Sequence, residues 1–409
     1  MSSSGKERCV IDMSYPHGSS INDAIPCDWS KVPGFNGQFK LPTHDKICGL
    51  ILDTPDPVMY VTDLAAFYMQ ICSDLADAPY LAFTWRSGLY FHRRLPFGCR
   101  TACLHAQRVS DAVALIHRSI SPGHMEPYVD DFDGIVTSSL SAKAHRAFHL
   151  LLHKLGLLTT PEKSISPTHQ AIFLGLLYNL LEYTLTLPPE KVQRVLVIIE
   201  EWLQKDACSK QQLQSLLGLL NHLTTVVHAG RPFTAALLDV LRQGHFPHPV
   251  TDELRQDLIA WKQFLSSKFA VKSIMKCASR EIPDSIVAIA VRKNTCVVSV
   301  CGGISGCRFG SDVSVPQHAM FALAVWFISV NYVTQLTGKL ILVLVPTKAA
   351  AAVINRANTT CTQIRPALRQ MWLAQAQEDC VIKAVHDKFV NNDYLFRQFV
   401  KFEDVVLPK

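Results

Sequence analysis

Tyr128-Val129-Asp130-Asp131-Phe132 is the stretch on which the reading of the fold turns. Two acids stand side by side inside an apolar, β-prone pentapeptide. Consecutive residues of a strand point to opposite faces, so a regular strand would leave one of the two carboxylates badly placed. A tight hairpin removes the conflict: at a turn between two short strands, Asp130 can face a metal ion while Asp131 stands beside it. Burying such a pair without compensation is costly, and a divalent cation is its natural partner. Taken alone, the same five residues also fit an acid-rich surface turn.

A second acid decides between these readings. Asp63 lies in Tyr60-Val61-Thr62-Asp63-Leu64-Ala65-Ala66-Phe67-Tyr68, where a strand-like run ends and an apolar helix-like run begins. Phosphoryl transfer by a metal pair needs acids from separate segments to bridge ions roughly 3.5–4 Å apart. Asp63, Asp130 and Asp131 are the candidate catalytic acids and metal ligands. They are hard oxygen donors with no cysteine or histidine cluster beside them, which points to two Mg2+ ions, with Mn2+ as a substitute.

Composition sets the frame. At 409 residues the chain is too long for one ordinary core and should form two or three packed units. Nearly half of it is apolar and 18% is charged, which makes it globular rather than disordered. The start, MSSSGKER, has no apolar core of a secretory signal. The longest apolar stretch, Ala319 to Val330, falls short of the ~20 residues that span a bilayer, so no membrane partner is expected. Thirteen cysteines without disulfide-like or metal-like spacing point to a reduced, intracellular chain, cytoplasmic or nuclear. The sixteen histidines lack zinc-ligand spacing and read as surface or hydrogen-bonded residues. A formal charge of +6 permits nucleic-acid binding without requiring it.

Periodicity divides the chain. From Arg8 to Asn179, short apolar runs alternate with turn signals and two helical stretches, the pattern of a sheet flanked by helices. From Pro188 the pattern becomes helical. Val192, Val195, Leu196, Ile199, Trp202 and Leu203 share one face, Ser209 and Gln212 form a capping box, a helix follows Arg231-Pro232, and another runs from about Thr251 to Leu265. After about Ile282 strands return at Ser285–Val291 and Thr295–Val300. A glycine-rich region over 301–310 reads as hairpin turns, since no Gly-Lys-Ser/Thr follows it to make a phosphate loop. A helix at Gln317–Asn331, a strand at Lys339–Val345 and helices near Ala349 and Arg365 complete an α/β order.

With these blocks in place the chain resembles a reverse transcriptase. Ile11-Asp12-Met13-Ser14-Tyr15-Pro16-His17-Gly18-Ser19-Ser20-Ile21-Asn22-Asp23 is similar to the tyrosine-recombinase retrotransposons of the DIRS, Ngaro and VIPER type. The likeness covers most of residues 7 to 265, with several blocks in family order. It implies an α/β (α+β) right-hand polymerase: fingers and palm over 1–185, a helical thumb over 186–280, and a ribonuclease-H-like or connection domain over 281–409. The implied activity is template-directed DNA synthesis from dNTPs on an RNA or DNA template. The implied partners are a template–primer duplex and dNTPs.

The resemblance also assigns roles. Arg8 and Asp12 match the fingers strand, where the arginine meets the incoming triphosphate. Tyr68 matches the aromatic gate against a ribose 2′-hydroxyl, and Phe67 stands where the family prefers a small residue under the sugar. Leu95-Pro96-Phe97-Gly98 and Gln107 match the block that supports template base and nucleotide, its glycine allowing close backbone approach to substrate. The usual Ala-Pro there is Ala102-Cys103. Lys163, in Thr160-Pro161-Glu162-Lys163, is the candidate proton donor to pyrophosphate. Phe173-Leu174-Gly175 resembles the primer grip. Lys191, Arg194, Lys205, Lys210 and Arg231 begin a run of thumb cations suited to tracking phosphates, although a solvated helix face gives the same pattern.

The resemblance weakens toward the end. Ile286 to Arg292 holds no aspartate where a nuclease strand should carry one, and Asp284 lies too early. Gln317 to Leu323 and Leu344 to Ala349 lack the next acids, and only Asp387 and Asp393 remain near the last. A ribonuclease-H-like fold without RNA cleavage is expected. The chain starts almost at the Arg8 strand, so it reads as a piece of a larger retroelement polyprotein or as an enzyme with reduced fingers. The rival reading is a decayed or domesticated relative that binds nucleic acid or a protein partner without polymerising.

Overall fold

The structure, a computed structural model, describes residues 10–26, 28, 39–274, 284–300, 303–310, 313–357, 359, 361–378, 380–387, 403–405 and 407. It divides after Thr184 into two compact units. Arg8 and Asp393 lie outside the described residues, as does the expected boundary at 280.

The first unit is built on β1 (Pro57–Asp63), a seven-residue run with every residue buried, the pattern of a central strand covered on both faces. Two short elements precede it: α1 (Ile21–Ala24), closed by a Ser20–Asp23 capping box, and α2 (His44–Asp53), capped by Thr43. A ribbon of β2 (Ala82–Trp85) and β3 (Gly88–Phe91) follows, then the long helix α3 (Ala102–Ile120). Next come β4 (His124–Tyr128), β5 (Asp131–Thr137), α4 (Ser141–Lys154) and β6 (Ile165–Thr168). The sheet order is β4-β5-β1-β6, antiparallel throughout.

Strand alternation decides which residues meet the helices. Val58 and Tyr60 of β1, with Phe132 and Val136 of β5, pack against Ala106, Val113 and Ala114 of α3 and Ala144, Phe148 and Leu151 of α4. Each fully buried large side chain contributes about 1.5–3 kcal/mol, so this interface anchors the sheet that carries the acids. The opposite face holds Asp63, Asp131 and Asp133. A hairpin of β7 (Gln170–Phe173) and β8 (Leu176–Asn179) lies beside it, turning through Leu174-Gly175, both at positive φ, as a two-residue hairpin loop requires.

The second unit begins at Leu185, within β9 (Thr184–Thr186), and α5 (Pro189–Leu203) follows, where Pro189 fills the first helical turn. After β10 (Ala207–Cys208), α6 (Lys210–Leu223) opens with the Ser209–Gln212 capping box complete in both directions. Then come α7 (Ala235–Gln243), β11 (His248–Pro249), α8 (Asp252–Leu265) and β12 (Val271–Ser273). The rest of the unit is a sheet: β13 (Ser285–Arg292), β14 (Thr295–Val300) and β15 (Gly303–Phe309) form an antiparallel meander. After α9 (Gln317–Asn331), β16 (Leu340–Val345) lies parallel to β13. Helices α10 (Lys348–Arg356) and α11 (Arg365–Gln377) lead to β17 (Val381–His386), parallel to β16, and β18 (Glu403–Val405) pairs parallel with β15.

One expectation is corrected here. The glycine-rich region is not a set of hairpin turns, because from Gly303 it continues as β15, paired residue for residue with β14. Burial explains the difference: Cys307 and Phe309 are drawn into the core of the sheet, which outweighs the low strand propensity of Gly303 and Gly306. Helix α9 is buried nearly all round, as its unbroken apolar sequence demands.

Within this unit a charged seam joins α11 to α7 and α8. Arg365 of α11 reaches Asp239 of α7 and, at 3.5 Å, Glu253 of α8, while Arg369 reaches Asp257 of α8. Among the described residues, no helix is long and apolar enough to cross a membrane.

Candidate active site

The hairpin expected at residues 128–132 is present and tight. Tyr128 pairs with Asp131, so Val129 and Asp130 alone form its loop. Val129 sits at φ +56, a region that a β-branched residue enters only when its surroundings hold it there. Those surroundings are on α3. The buried Gln107 amide accepts from the Val129 N–H at 2.8 Å and donates to the Pro127 carbonyl at 3.0 Å, and the Ser110 hydroxyl donates to the Val129 carbonyl. Gln107, expected at the nucleotide, is thus placed as the brace of the turn.

Asp63 ends β1 directly opposite Asp131, the two being register partners on adjacent strands. The Leu64 N–H donates to the Asp130 carbonyl at 2.9 Å, tying the lone acid's segment to the turn. The loop after Asp63 is locked by Gln70. Its amide donates to the carbonyls of Ala65 and Leu158 and accepts from the Leu158 N–H, next to Ala66 at φ +43. Two strained non-glycine positions, Ala66 and Val129, thus flank the three acids.

The electrostatics follow from this crowding. Burial, and then the charges of Asp130 and Asp63, push the Asp131 carboxyl up to about 7, against a smaller opposing pull from Lys163. The Lys163 ammonium lies 2.6 Å from the Asp63 carboxylate, and that hydrogen bond raises its own pKa. Among the described residues, no three His, Cys, Asp or Glu side chains gather into a ready cage for a metal ion, and Lys163 stands on one of the candidate oxygens. The donor set itself fits a hard divalent cation: three carboxylates, two face to face and one in the adjoining turn, with a like-charge penalty that a cation would relieve.

Tyr68 lies in a short 3-10 turn, Phe67–Gln70, stacked on Phe97 with ring centroids 4.9 Å apart. Burial first, then the Cys103 thiol, raises its hydroxyl pKa, and Asp130 adds to the effect. Cys103, a departure from the Ala-Pro pattern, therefore lies close to the Tyr68 hydroxyl. Phe67 points into the core with Leu64 and Leu95 rather than toward an open pocket. Gly98 is at φ +110, and a Cβ there would lie 1.9 Å from the Ile11 carbonyl oxygen. The close approach that its missing side chain permits is therefore to the chain's own N-terminal segment. Asp12, exposed, accepts from the Ser14 N–H at 3.1 Å. Phe173 is buried, and Leu174 and Gly175 form the tip of their hairpin.

Sequence reasoning missed a third acid on the same face. Asp133 is 0% exposed, and neither carboxylate oxygen has a hydrogen-bond partner among the described residues. Burial, and then Glu126 across the strand pair, hold its pKa well above the ordinary range. Glu126 itself is met by Lys46 at 2.6 Å and by Arg118 at 3.8 Å. The alternation Asp131, Phe132, Asp133 was the available signal, since residues two apart on a strand share a face.

No family model matches the chain, and no curated protein matches it. Solved structures do. A foamy viral protease–reverse transcriptase in complex with ds DNA superposes with a TM-score of 0.52 at 16% identity, over 94% of this chain and 63% of that one. The same viral protein with an RNA/DNA hybrid gives 0.49 at 18% identity, over 86% of this chain and 46% of that one. A third structure of it, with dsDNA, gives 0.47 at 17% identity, over 87% and 72%. The chain spans less than two thirds of the length of the first of these neighbours. The strand order, the turn of acids and the first superposition together identify a mixed α/β, reverse-transcriptase-like polymerase fold.

Proposed function

We propose that this chain is a reverse transcriptase that extends a primer with dNTPs along an RNA or DNA template, its partner being the template–primer duplex. The observation that carries this reading is the register pairing of Asp63 with Asp131 beside the Asp130 turn, on a sheet face not packed against α3 and α4. Asp63, Asp130 and Asp131 would hold two Mg2+ ions, or Mn2+ in their place, which when bound activate the primer 3′-oxygen and neutralise the triphosphate.

The chain's own groups supply the rest. Gln107 and Ser110 keep the turn in a conformation that Val129 would not hold unaided. Lys163 carries a proton beside Asp63 and would give it to the departing pyrophosphate. Tyr68, braced by Phe97 and Cys103, is a rigid wall that would exclude a ribose 2′-hydroxyl. The segment Ile11 to Asp23 supports a tyrosine-recombinase retrotransposon lineage, and a longer polyprotein context goes with it.

The C-terminal half would support the duplex without cutting RNA. Asp284, the acid nearest the place where a nuclease acid belongs, accepts from the Leu340 N–H at 2.7 Å and closes the sheet's end. Thr347, at the next such place, caps α10. A second reading, a relative that binds without polymerising, is favoured by one observation: Lys163 already neutralises Asp63.

Primer extension separates the two. With Mg2+ and a primed homopolymer template, the wild type should incorporate dNTPs over rNTPs. Asp130→Asn should fold normally and incorporate none, and Tyr68→Ala should admit rNTPs. Absence of any Asp130-dependent incorporation would leave the binding-only relative standing.

A further inference from the structure

The ribbon of β2 and β3 takes no part in the site described above, and it leaves Phe83, Trp85, Leu89, Tyr90 and Phe91 exposed to solvent. Register places Phe83 opposite Tyr90 and Trp85 opposite Gly88, so Phe83, Trp85 and Tyr90 share one face. Phe83 and Tyr90 stack at 5.8 Å with an interplanar angle of 26°. A Cβ on Gly88 would come within 2.8 Å of the Tyr90 ring, so the absence of a side chain there lets Tyr90 lie flat across the ribbon beside Trp85. The rings are open to solvent: Phe83 is 37%, Trp85 62%, Tyr90 50% and Phe91 51% exposed. Soluble chains rarely leave such a patch without a partner.

Charge says which partner. From Ala78 to Ser110 the sequence holds five arginines, Arg86, Arg93, Arg94, Arg100 and Arg108, and no acid or lysine. Arg86 occupies the ribbon's own turn at φ +53, and Arg93 follows its second strand. Exposed flat rings interleaved with guanidinium groups suit a polyanion that also presents flat π faces, which is single-stranded nucleic acid. A duplex keeps its base faces stacked inside and would meet the ribbon only with phosphate and groove edges.

The base of the ribbon fixes where that strand would run. The Leu95 N–H donates to the Ile71 carbonyl at 3.0 Å and the Ser73 N–H to the Arg93 carbonyl at 3.2 Å, and Arg94 contacts the Cys72 sulfur at 2.7 Å. These bonds root the ribbon on the segment that follows Tyr68, the proposed nucleotide side of the acid hairpin. We propose that the ribbon, through Trp85, Tyr90 and Phe83 with Arg86 and Arg93, is a stacking platform for single-stranded nucleic acid. Its place as the track for unpaired template rests on the polymerase reading. The binding itself does not.

The test uses the full chain in EDTA at low salt, so that no catalysis contributes. Oligo(dT) binding is followed by fluorescence anisotropy, with a blunt duplex as control. Trp85→Ala/Tyr90→Ala should weaken oligo(dT) binding about 10–100-fold, the scale of one or two lost stacked bases, and leave the blunt duplex within about twofold. Trp85→Phe, which keeps a ring, should bind oligo(dT) near the wild-type level while losing the part of the tryptophan quench that belongs to Trp85. An unchanged oligo(dT) affinity in the double variant, with a native circular-dichroism spectrum, would overturn the proposal. So would an equal loss on the blunt duplex, or a concentration-dependent dimer of the wild type that the double variant abolishes, since a second copy would then be the occupant. Ribbon-dependent binding by a chain that extends no primer would leave the platform standing and remove the polymerase reading.

Discussion

Replacing Asp131 by Asn should stabilise the metal-free protein, and by more as pH rises. In the fold this carboxyl is pushed from an ordinary 3.8 to about 7 by burial and by the neighbouring charges of Asp130 and Asp63. The unfolded chain therefore releases the Asp131 proton near pH 4, whereas the folded chain keeps it until about 7. Across that window the folded state binds more protons, so wild-type stability falls as pH rises through it and levels off above it. The gap is about 3 pH units, or ~4 kcal/mol at 1.36 kcal/mol per unit. Asp131 is only partly buried, and solvent screening reduces the effect to about 2 kcal/mol. At 2–4 °C per kcal/mol for a body of this size, Asp131→Asn should melt about 4–8 °C above the wild type at pH 8 in EDTA, and about level with it near pH 4. Differential scanning fluorimetry from pH 4.5 to 8.5 reads this directly. Addition of Mg2+ should then raise the wild type more than the variant, narrowing the difference. A variant whose advantage shrinks as pH rises would show that Asp131 is paired rather than crowded, and the electrostatic account of the site would fail.

Gln107→Ala should leave the buried Val129 N–H unsatisfied, cost about 1–3 kcal/mol, and lower single-nucleotide extension more than tenfold with little change in duplex affinity. Arg369→Met should cost about 3–5 kcal/mol in a urea melt at pH 8, because it strands Asp257, which is 1% exposed. Burial already lifts Asp257 to about 7, so the loss should be smaller at pH 6, and Arg369→Met/Asp257→Leu should recover most of it. Gly98→Ala should destabilise the first unit by about 2 kcal/mol or more, since φ +110 and the Ile11 carbonyl both oppose a side chain. A neutral result in a thermal melt would show that the N-terminal segment does not rest there.

Sequence legibility followed the range of the interactions involved. The Ser209–Gln212 capping box, the Pro189 helix start and the apolar face of α5 depend on neighbours within one turn, and each lies where the spacing put it. The pairing of Asp63 with Asp131 was legible as chemistry, because two acid-bearing segments had to meet, but the register that puts them face to face belongs to the sheet. Three things were not legible. Lys163 reaches Asp63 across 100 residues of chain. Gln107 turns inward to brace the hairpin because α3 packs under it, and Gly303–Phe309 becomes a strand because Cys307 and Phe309 are wanted in the core. Each is a long-range packing choice that overrides a local preference.

The acids on β5 show how one strand can host unlike carboxylates. Asp131 and Asp133 share a face, yet the first sits near the sheet's open end with a lysine in reach, and the second is sealed beneath it against Glu126. A charge at Asp133 would face burial with no hydrogen-bond partner among the described residues, so burial pushes this carboxyl toward its neutral form. That neutrality matters for its neighbour, because an ionised Asp133 would add a further like charge to a cluster that already drives Asp131 toward protonation. The sheet thus keeps its negative potential concentrated at Asp63, Asp130 and Asp131, the end where a cation would be captured, instead of spreading it along the strand. Asp133→Asn tests this division. It should leave the pH dependence attributed to Asp131 unchanged, and a shift of that dependence would mean Asp133 carries charge in the folded protein.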